Sequence, residues 1–172
     1  AMMGNEWPEY LNFLFNVSGA WPNLKSDHTF LTLTIHSSSI IDAGAELGAG
    51  VSVGPFSIIG PHVQIGQKTV IGSHALIEAN TVIGEGCKIF HGASIGGEPQ
   101  IMGFEDVSSS VEIGNGTVIR EYATIHRSGY KEGVTRIGKN CLLMAYSHLG
   151  HDCEIGDQVI IVNGTGLSGH VI

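Results

Sequence analysis

Aliphatic residues recur every six positions along most of this chain. From Ile35 to Ile172 the sequence divides into 23 hexads, and the first position is Ile, Leu or Val in 22 of them, with Lys131 as the exception. The fifth position is usually small or β-branched, as at Ala45 and Thr69. This period predicts one short strand and one corner per hexad, with the first and fifth side chains pointing inward. Three hexads would close one triangular coil, so we expect about seven and two-thirds stacked coils.

The pattern predicts an all-β solenoid preceded by a segment of another kind. Residues 35–172 would form the coiled domain, while residues 1–34 lack the hexads and hold both tryptophans. We interpret residues 1–34 as a cap, with a short helix followed by the strand TFLTLT, because an uncovered first coil would expose open strand edges. The last coil is incomplete at Ile172, so we expect either a fragment of a longer chain or a second copy that covers this end.

Two hexads place a charged side chain at an inward position. Glu105 is the fifth residue of IMGFED, and Lys131 is the first residue of KEGVTR. Because an unpaired charge in a narrow apolar core is costly, we expect external loops near Gly97–Ser110 and Ser128–Thr135. The aliphatic spacing continues through the first region, which could instead form a distorted coil.

The three cysteines share one position in the repeat. Cys87, Cys141 and Cys153 each occupy the fifth, inward place of a hexad, and no two of them form a C-x-x-C pair. We therefore expect reduced, buried thiols that act as small apolar side chains.

Charge and hydropathy exclude several classes of protein. The 172 residues include 8 Lys and Arg against 16 Asp and Glu, for a formal charge of −8. Binding to nucleic acid needs clustered basic residues, and here they are few and scattered. No apolar run reaches the roughly 18 residues of a membrane span, and no signal-peptide pattern opens the chain. These features indicate a cytoplasmic protein with no nucleic-acid partner and no stable membrane insertion.

Histidines gather in the second half of the coiled region. His126, His148, His151 and His170 have successive separations of 22, 3 and 19 along the chain, and the first and last of these are close to the three hexads of one coil. Residues one coil apart stack on the same face, so these four side chains should lie on one strip. A lone histidine on a solenoid surface is usually only a solvated polar residue, but four together indicate a site.

The strip contains the parts of a general base. Asp152 directly follows His151, and a carboxylate beside an imidazole can fix its tautomer and stabilise the imidazolium. Gly169 offers a backbone N–H with no side chain to obstruct a developing oxyanion. The residues alone thus favour proton abstraction from a substrate hydroxyl.

The hexads resemble those of the hexapeptide-repeat family, whose fold is the left-handed parallel β-helix. The stretches TIHRSG, NCLLMAYSHLGHDC and LSGHV are more specific. They are similar to those of the acyl-carrier-protein-dependent UDP-N-acetylglucosamine acyltransferases, which begin lipid A synthesis. The resemblance covers about Ile35 to the last residue.

The resemblance implies transfer of a hydroxyacyl chain from acyl carrier protein to a glucosamine 3-hydroxyl, without cofactor or metal. It assigns His151 as the general base, Asp152 as its carboxylate partner and Gly169 as the oxyanion donor. Substrate contacts would come from Gln100, His126, His148 and His170. The family also implies a homotrimer with sites between chains, in keeping with the closed cyclic symmetry of most oligomers.

Departures from the family pattern leave other functions open. The family's nucleotide-sugar loop has the pattern QDxK, whereas this sequence has QIMG, so Ile101 and Gly103 replace an acid and a lysine. The family's further coils and C-terminal helical part are absent from this sequence. One alternative is a related transferase that uses a coenzyme A thioester to acylate another sugar or an amine. Another is a truncated, inactive relative or scaffold.

A zinc enzyme of the γ-carbonic anhydrase type is a third alternative. His126, His148 and His151 would then bind the metal. Their spacing does not fit the His-x4-His pair of that family.

Overall fold

Short parallel strands are the only regular elements of the described chain. The computed structural model describes residues 34–172, and its strands are two to four residues long. In chain order they are β1 (Thr34–Ile35), β2 (Ile40–Ile41), β3 (Glu46–Leu47), β4 (Ser52–Val53), β5 (Ile58–Ile59), β6 (Gln64–Ile65), β7 (Val70–Ile71), β8 (Leu76–Ile77), β9 (Thr81–Ile83), β10 (Lys88–Ile89), β11 (Ser94–Gly97), β12 (Ser110–Ile113), β13 (Val118–Ile119), β14 (Thr124–His126), β15 (Val134–Ile137), β16 (Leu142–Leu143), β17 (His148–Leu149), β18 (Glu154–Ile155), β19 (Ile160–Ile161) and β20 (Gly166–Leu167).

The strands form the three faces of a triangular coil. Sheet A contains β1 and every third strand to β19, sheet B runs in the same way from β2 to β20, and sheet C runs from β3 to β18. All pairings are parallel, and the coil is left-handed, as the resemblance implied. The predicted fold class, a left-handed parallel β-helix, is confirmed for residues 34–172. The predicted cap, apart from Thr34 in β1, lies outside the described residues.

The core consists of the first and fifth residues of the hexads. Ile77 and Val51, at these two positions, are each 0% exposed. Buried hydroxyls at the fifth position donate to carbonyls of the next coil, as Thr69 Oγ1 does to Gly84 O at 2.8 Å. This satisfies polar groups that would otherwise be costly in an apolar core.

The three cysteines are buried free thiols, as expected. Each donates a hydrogen bond to a backbone carbonyl, the shortest from Cys141 Sγ to Gly156 O at 3.1 Å. Burial raises the pKa of the thiols of Cys87, Cys141 and Cys153. They are therefore poor nucleophiles and act as small core side chains.

Most corners turn on the fourth residue of the hexad, which has a left-handed backbone conformation. His74 and Asn80 have φ of 55° and 58°, and Asp152 has φ of 59°. The third and fourth side chains therefore point away from the core at a corner. This local geometry places His151 and Asp152 side by side on the outside of the coil.

Two loops leave the coil where the inward charges predicted them. Residues 98–109, the long loop, connect β11 to β12, and residues 127–133, the short loop, connect β14 to β15. Ile83 pairs with Ile113 and Ile113 with Ile137, so these partners are five and four hexads apart instead of three. The long loop therefore adds two hexads to its coil and the short loop adds one.

The expected number of coils was wrong for this reason. Within residues 34–172 the structure has 20 strands rather than 23, which corresponds to six and two-thirds coils. Because both insertions are whole hexads, they leave the hexad frame unbroken. The described residues contain no helix that could cross a membrane.

Candidate active site

The predicted site residues and both loops lie along one edge of the triangular coil. The long loop, the short loop and the turn at His151 all connect a strand of sheet B to a strand of sheet C. The chain segment with Gly169 and His170 leaves sheet B at the same edge, one coil further on. We call this edge the B–C corner.

His151 and Asp152 form a hydrogen-bonded pair. Nδ1 of His151 lies 2.7 Å from Oδ2 of Asp152, and the two side chains are 17% and 12% exposed. An ionised carboxylate can only accept, so Nδ1 carries the proton and Nε2 of the neutral ring is free to accept one. The pairing predicted from adjacent positions in the sequence is therefore present.

Three further groups hold the Asp152 carboxylate and its backbone. Ser128 Oγ donates to Oδ1, the Gly129 N–H donates to Oδ2 at 3.1 Å, and the Asp152 N–H donates to Thr135 Oγ1 at 2.8 Å. Burial acts to raise the pKa of the Asp152 carboxyl, but the hydrogen bonds from Ser128, His151 and Gly129 outweigh it, so the pKa lies below its ordinary value. Asp152 is therefore an anion that orients the imidazole.

Gly169 lies one coil above His151 and directly against its ring. A Cβ built on Gly169 would lie 2.6 Å from Cε1 and 2.6 Å from Nε2 of His151. Among the described residues, nothing accepts a hydrogen bond from the Gly169 N–H. The predicted oxyanion donor is thus beside the nitrogen that would accept a proton.

His148 and His126 pack together on the sheet B side of this corner. Their ring centroids are 4.7 Å apart at 76°, and His148 Nδ1 lies 2.8 Å from Thr124 Oγ1. Burial lowers the pKa of both imidazoles, and the neighbouring histidines lower that of His126 further. Both rings are therefore held toward the neutral form, in which each offers one donor and one acceptor.

His170 packs edge-on against His151, with ring centroids 5.1 Å apart at 90°. The ring of Tyr130, in the short loop, lies 5.9 Å from the His170 ring. Among the described residues, His151, Asp152 and His170 form a group that could hold a metal ion, because one ligand atom from each lies within 4.8 Å of the other two. It differs from the set His126, His148 and His151 considered from the sequence.

Gln100 differs from the other predicted site residues. It is exposed in the long loop and makes no side-chain hydrogen bond to any residue that the structure describes. Its neighbour Ile101 contacts the short loop instead. The structure thus brings together six of the seven predicted residues and leaves Gln100 at the rim.

Sequence reasoning missed the groups that support Asp152. Ser128 lies four hexads before Asp152, whereas the three-hexad period alone would have placed Val134 directly below Asp152 in the preceding coil. The inward charge at Lys131 already predicted a loop between them, and allowing one extra hexad for it would have found Ser128. Thr135 carried no signal beyond its fifth position in the hexad.

Comparison with known proteins finds a family match and several relatives that share one name. Residues 135–169 match the family described as bacterial transferase hexapeptide (six repeats). An acyl-[acyl-carrier-protein]–UDP-N-acetylglucosamine O-acyltransferase of Sulfurihydrogenibium sp. (strain YO3AOP1) is 60% identical over 122 residues, or 70% of this chain and 45% of that protein. The protein of the same name from Herminiimonas arsenicoxydans is 50% identical over 138 residues, or 80% of this chain and 53% of that protein.

Solved structures agree with these relatives. The UDP-N-acetylglucosamine acyltransferase of Francisella novicida matches with a TM-score of 0.77 at 44% identity, covering 80% of this chain and 50% of that one. The enzyme from Campylobacter jejuni matches with a TM-score of 0.75 at 38% identity, covering 80% of this chain and 54% of that one. The chain therefore spans about half the length of the relatives it matches.

Proposed function

We propose that this chain, which belongs to the hexapeptide-repeat family of bacterial transferases, carries the active-site corner of an O-acyltransferase. The reaction would transfer a (3-hydroxy)acyl chain from acyl carrier protein to the 3-hydroxyl of UDP-N-acetylglucosamine, the first step of lipid A synthesis. The observation that carries the proposal is the His151–Asp152 pair with Gly169 against Nε2. The names of the relatives supply the donor and the acceptor.

The mechanism follows from the geometry of the pair. Nε2 of His151 takes the proton of the acceptor hydroxyl as its oxygen attacks the thioester carbonyl carbon. Asp152 holds the tautomer and stabilises the imidazolium that forms. The Gly169 N–H donates to the carbonyl oxygen as it becomes an oxyanion. When the intermediate collapses, the C–S bond breaks and the imidazolium returns the proton to the leaving thiolate, which restores the neutral base.

Substrate contacts would come from the groups around this pair. The neutral rings of His126 and His148 offer donors and acceptors on the sheet B side, and the exposed His170 does so above His151. Gln100 at the rim would reach the acceptor from the long loop. These roles rest on position relative to His151 and on the family resemblance.

A homotrimer is the proposed assembly, supported by the outer surfaces of the three sheets. Apolar side chains are exposed on sheets A and B, among them Val70 and Ile160 on sheet A and Ile40 and Ile58 on sheet B. Sheet C instead presents mainly charged or polar side chains: Glu46, Gln64, Glu112, Arg136 and Glu154. Faces A and B would therefore pack between chains while face C stays in water.

The cytoplasm is the proposed location. Three buried, unpaired thiols suit a reducing compartment. Acyl carrier protein and a soluble nucleotide sugar would be the partners there.

Acyl transfer from 3-hydroxyacyl carrier protein to UDP-N-acetylglucosamine tests the proposal. His151→Ala should reduce kcat/KM by about 1,000-fold or more, because the base and its proton shuttle are both lost. His62→Ala is the matched control, since His62 is an exposed histidine on the same B–C corner four coils earlier. Equal activity of the two variants would contradict the mechanism.

A coenzyme A dependent transferase is the second candidate, favoured by Ile101 where the family has an acid. Ile101 contacts the short loop rather than offering a polar group to a sugar. Transfer from acetyl-coenzyme A to a sugar or amine, with no transfer from acyl carrier protein, would favour this candidate. Loss of that transfer in His151→Ala would still assign the same base.

A further inference from the structure

Arg127 binds the long loop at several points at once. Its Nη1 donates to Val107 O at 2.6 Å and to Ser109 Oγ at 3.0 Å, and its Nη2 donates to Asp106 Oδ1 at 2.6 Å. The guanidinium carbon also lies 5.3 Å from the centre of the Phe104 ring. The Arg127 side chain is 15% exposed, so its bonds to Val107 and Ser109 are partly dehydrated, whereas its partner Asp106 is 87% exposed.

The backbone of the two loops is joined as well. The Glu132 N–H donates to Ser108 O at 2.6 Å, and the Arg127 N–H donates to O of Gly97, the last residue of β11, at 3.0 Å. Ser109 Oγ, which accepts from Arg127, donates to Ser128 O at 2.7 Å. The long loop is therefore fastened directly beside Ser128, the residue that holds the Asp152 carboxylate.

The fastened loop places one apolar side chain close to the His151–Asp152 pair. A Cβ built on Gly129 would lie 2.6 Å from Cδ1 of Ile101, 3.4 Å from Oδ2 of Asp152 and 3.6 Å from Nδ1 of His151. The Ile101 methyl and the hydrogen bond between His151 and Asp152 thus border the same small space. A side chain at position 129 would displace the Ile101 methyl.

We propose that Arg127 is a positioning residue of this site: it clamps the long loop so that Ile101 covers the outer side of the His151–Asp152 hydrogen bond and keeps water from it. The inference rests on the proposed function for its catalytic consequence. Its structural part, a clamp and a cover, stands without that function.

The physical reason is the local dielectric around the pair. Water that reaches the Asp152 carboxylate competes for its lone pairs and weakens the field that orients the imidazole. Ser128 and the Gly129 N–H already occupy the carboxylate from the short loop. Ile101, itself 37% exposed, borders the adjoining space with a group that neither donates nor accepts, which limits the access of water to the hydrogen bond from this side.

Hydrogen exchange of the long-loop amides tests the clamp without any assay of activity. Arg127→Met removes the guanidinium and keeps a long apolar stem, and we expect exchange across residues 98–109 to become about 10- to 100-fold faster, because several charge-assisted bonds hold the loop closed. Arg127→Lys keeps the charge but not the fork of donors, so its exchange rate should lie between those of Arg127→Met and the wild type. Asp106 is exposed, so Asp106→Asn should leave the chain folded and should accelerate exchange less than Arg127→Met does.

Arg120 provides the matched control for the loss of a guanidinium. It also pairs with an acid, Glu121 at 3.0 Å, and lies over a ring, Phe90 at 4.5 Å, but it follows a strand of sheet A, away from the loops. Arg120→Met should leave exchange in residues 98–109 unchanged. Equal exchange in Arg127→Met and Arg120→Met would overturn the clamp.

The proton shared by His151 and Asp152 tests the cover. Its NMR resonance should lie far downfield and exchange slowly with water in the wild type. Ile101→Ala and Arg127→Met should each accelerate this exchange by about tenfold or more, and Ile101→Val, which keeps most of the apolar volume, should change it little. Unchanged exchange in Ile101→Ala would overturn the role of Ile101 as a cover.

Kinetics then separates this inference from the proposed function. If the chain transfers acyl groups, Arg127→Met and Ile101→Ala should lower kcat about tenfold with the KM for the acyl donor unchanged, because the pair is altered and the donor contacts are not. If no acyl transfer is found while both exchange results hold, the proposed function fails and the clamp stands. If transfer is found but neither variant alters kcat or exchange, the clamp fails and the proposed function stands.

Discussion

Gly169→Ala would test how closely the coil above packs on the imidazole of His151. The new Cβ would lie 2.6 Å from both Cε1 and Nε2 of the ring. Ordinary contacts between such atoms are about 3.5 to 4.0 Å, so the ring must move by about 1 Å. Since Gly169 φ is not in the left-handed region, the strain falls on the contact and not on the backbone.

The magnitude follows from the displacement. A catalytic group misplaced by about 1 Å commonly loses about 100-fold in rate, equivalent to about 2.7 kcal/mol of transition-state stabilisation. His151 is partly exposed and can tilt outward, so the free energy of unfolding should fall by no more than about 1 kcal/mol. Activity should therefore fall far more than stability.

Gly166→Ala is the matched control. Gly166 lies in β20, shortly before Gly169, and a Cβ built there meets no atom within 4 Å. We would measure kcat/KM for acyl transfer, thermal unfolding and the chemical shift of the His151 Cε1 proton in both variants. A folded Gly169→Ala variant with activity within about threefold of Gly166→Ala and an unshifted ring resonance would refute the reasoning.

Further predictions concern buried hydroxyls and titrating groups. Thr135→Val should lower the free energy of unfolding by about 1 to 3 kcal/mol, since it leaves the Asp152 N–H unsatisfied. Thr81→Val should change the free energy of unfolding by less than about 0.5 kcal/mol, because Thr81 Oγ1 is buried without a partner among the described residues. Chemical denaturation of both variants would measure the difference. The lowered pKa of Asp152 stabilises the fold above about pH 4 and ceases to do so as pH falls through the folded pKa, so the difference in unfolding free energy between the wild type and Asp152→Asn should shrink in acid. Because the pKa values of His126 and His148 are lowered in the folded chain, the unfolded chain takes up protons first as pH falls below about 6.5. The stability of the wild type should therefore decline below that pH. Melting curves between about pH 7.5 and 5.5 should show a smaller decline for His148→Gln than for the wild type.

The core of the fold could be predicted because the period of the sequence is the period of the structure. An aliphatic first residue and a small fifth residue both face inward, and Ile77 and Val51 are buried as expected. The pairing of His151 with Asp152 could also be predicted, because the neighbouring third and fourth residues of a hexad share one corner. The approach of Gly169 to His151 follows in the same way, because three hexads, or one coil, separate them.

The two insertions could be predicted from the charge of inward residues but not from the spacing of the hexads. Loops that add two hexads and one hexad preserve the frame, so the periodicity alone overcounted the strands. Glu105 and Lys131 revealed the loops because an inward charge is costly. Ile101 keeps the aliphatic spacing yet packs on Gly129 outside the core, and no periodic rule could assign that contact.

The position of both loops at one corner explains why the site lies where it does. A corner insertion returns to the next strand and leaves the three sheets intact, and its closure entropy grows only slowly with length. A single long loop would leave many backbone groups without partners, whereas two loops on successive coils can satisfy each other, as the Glu132 N–H does with Ser108 O at 2.6 Å. The next coil has no insertion at this corner, so its turn at His151 and Asp152 lies against the short loop on one side and against Gly169 and His170 of the following coil on the other. Nδ1 of His151 is held by Asp152 beside the loops, and Nε2 is the ring nitrogen left for a substrate.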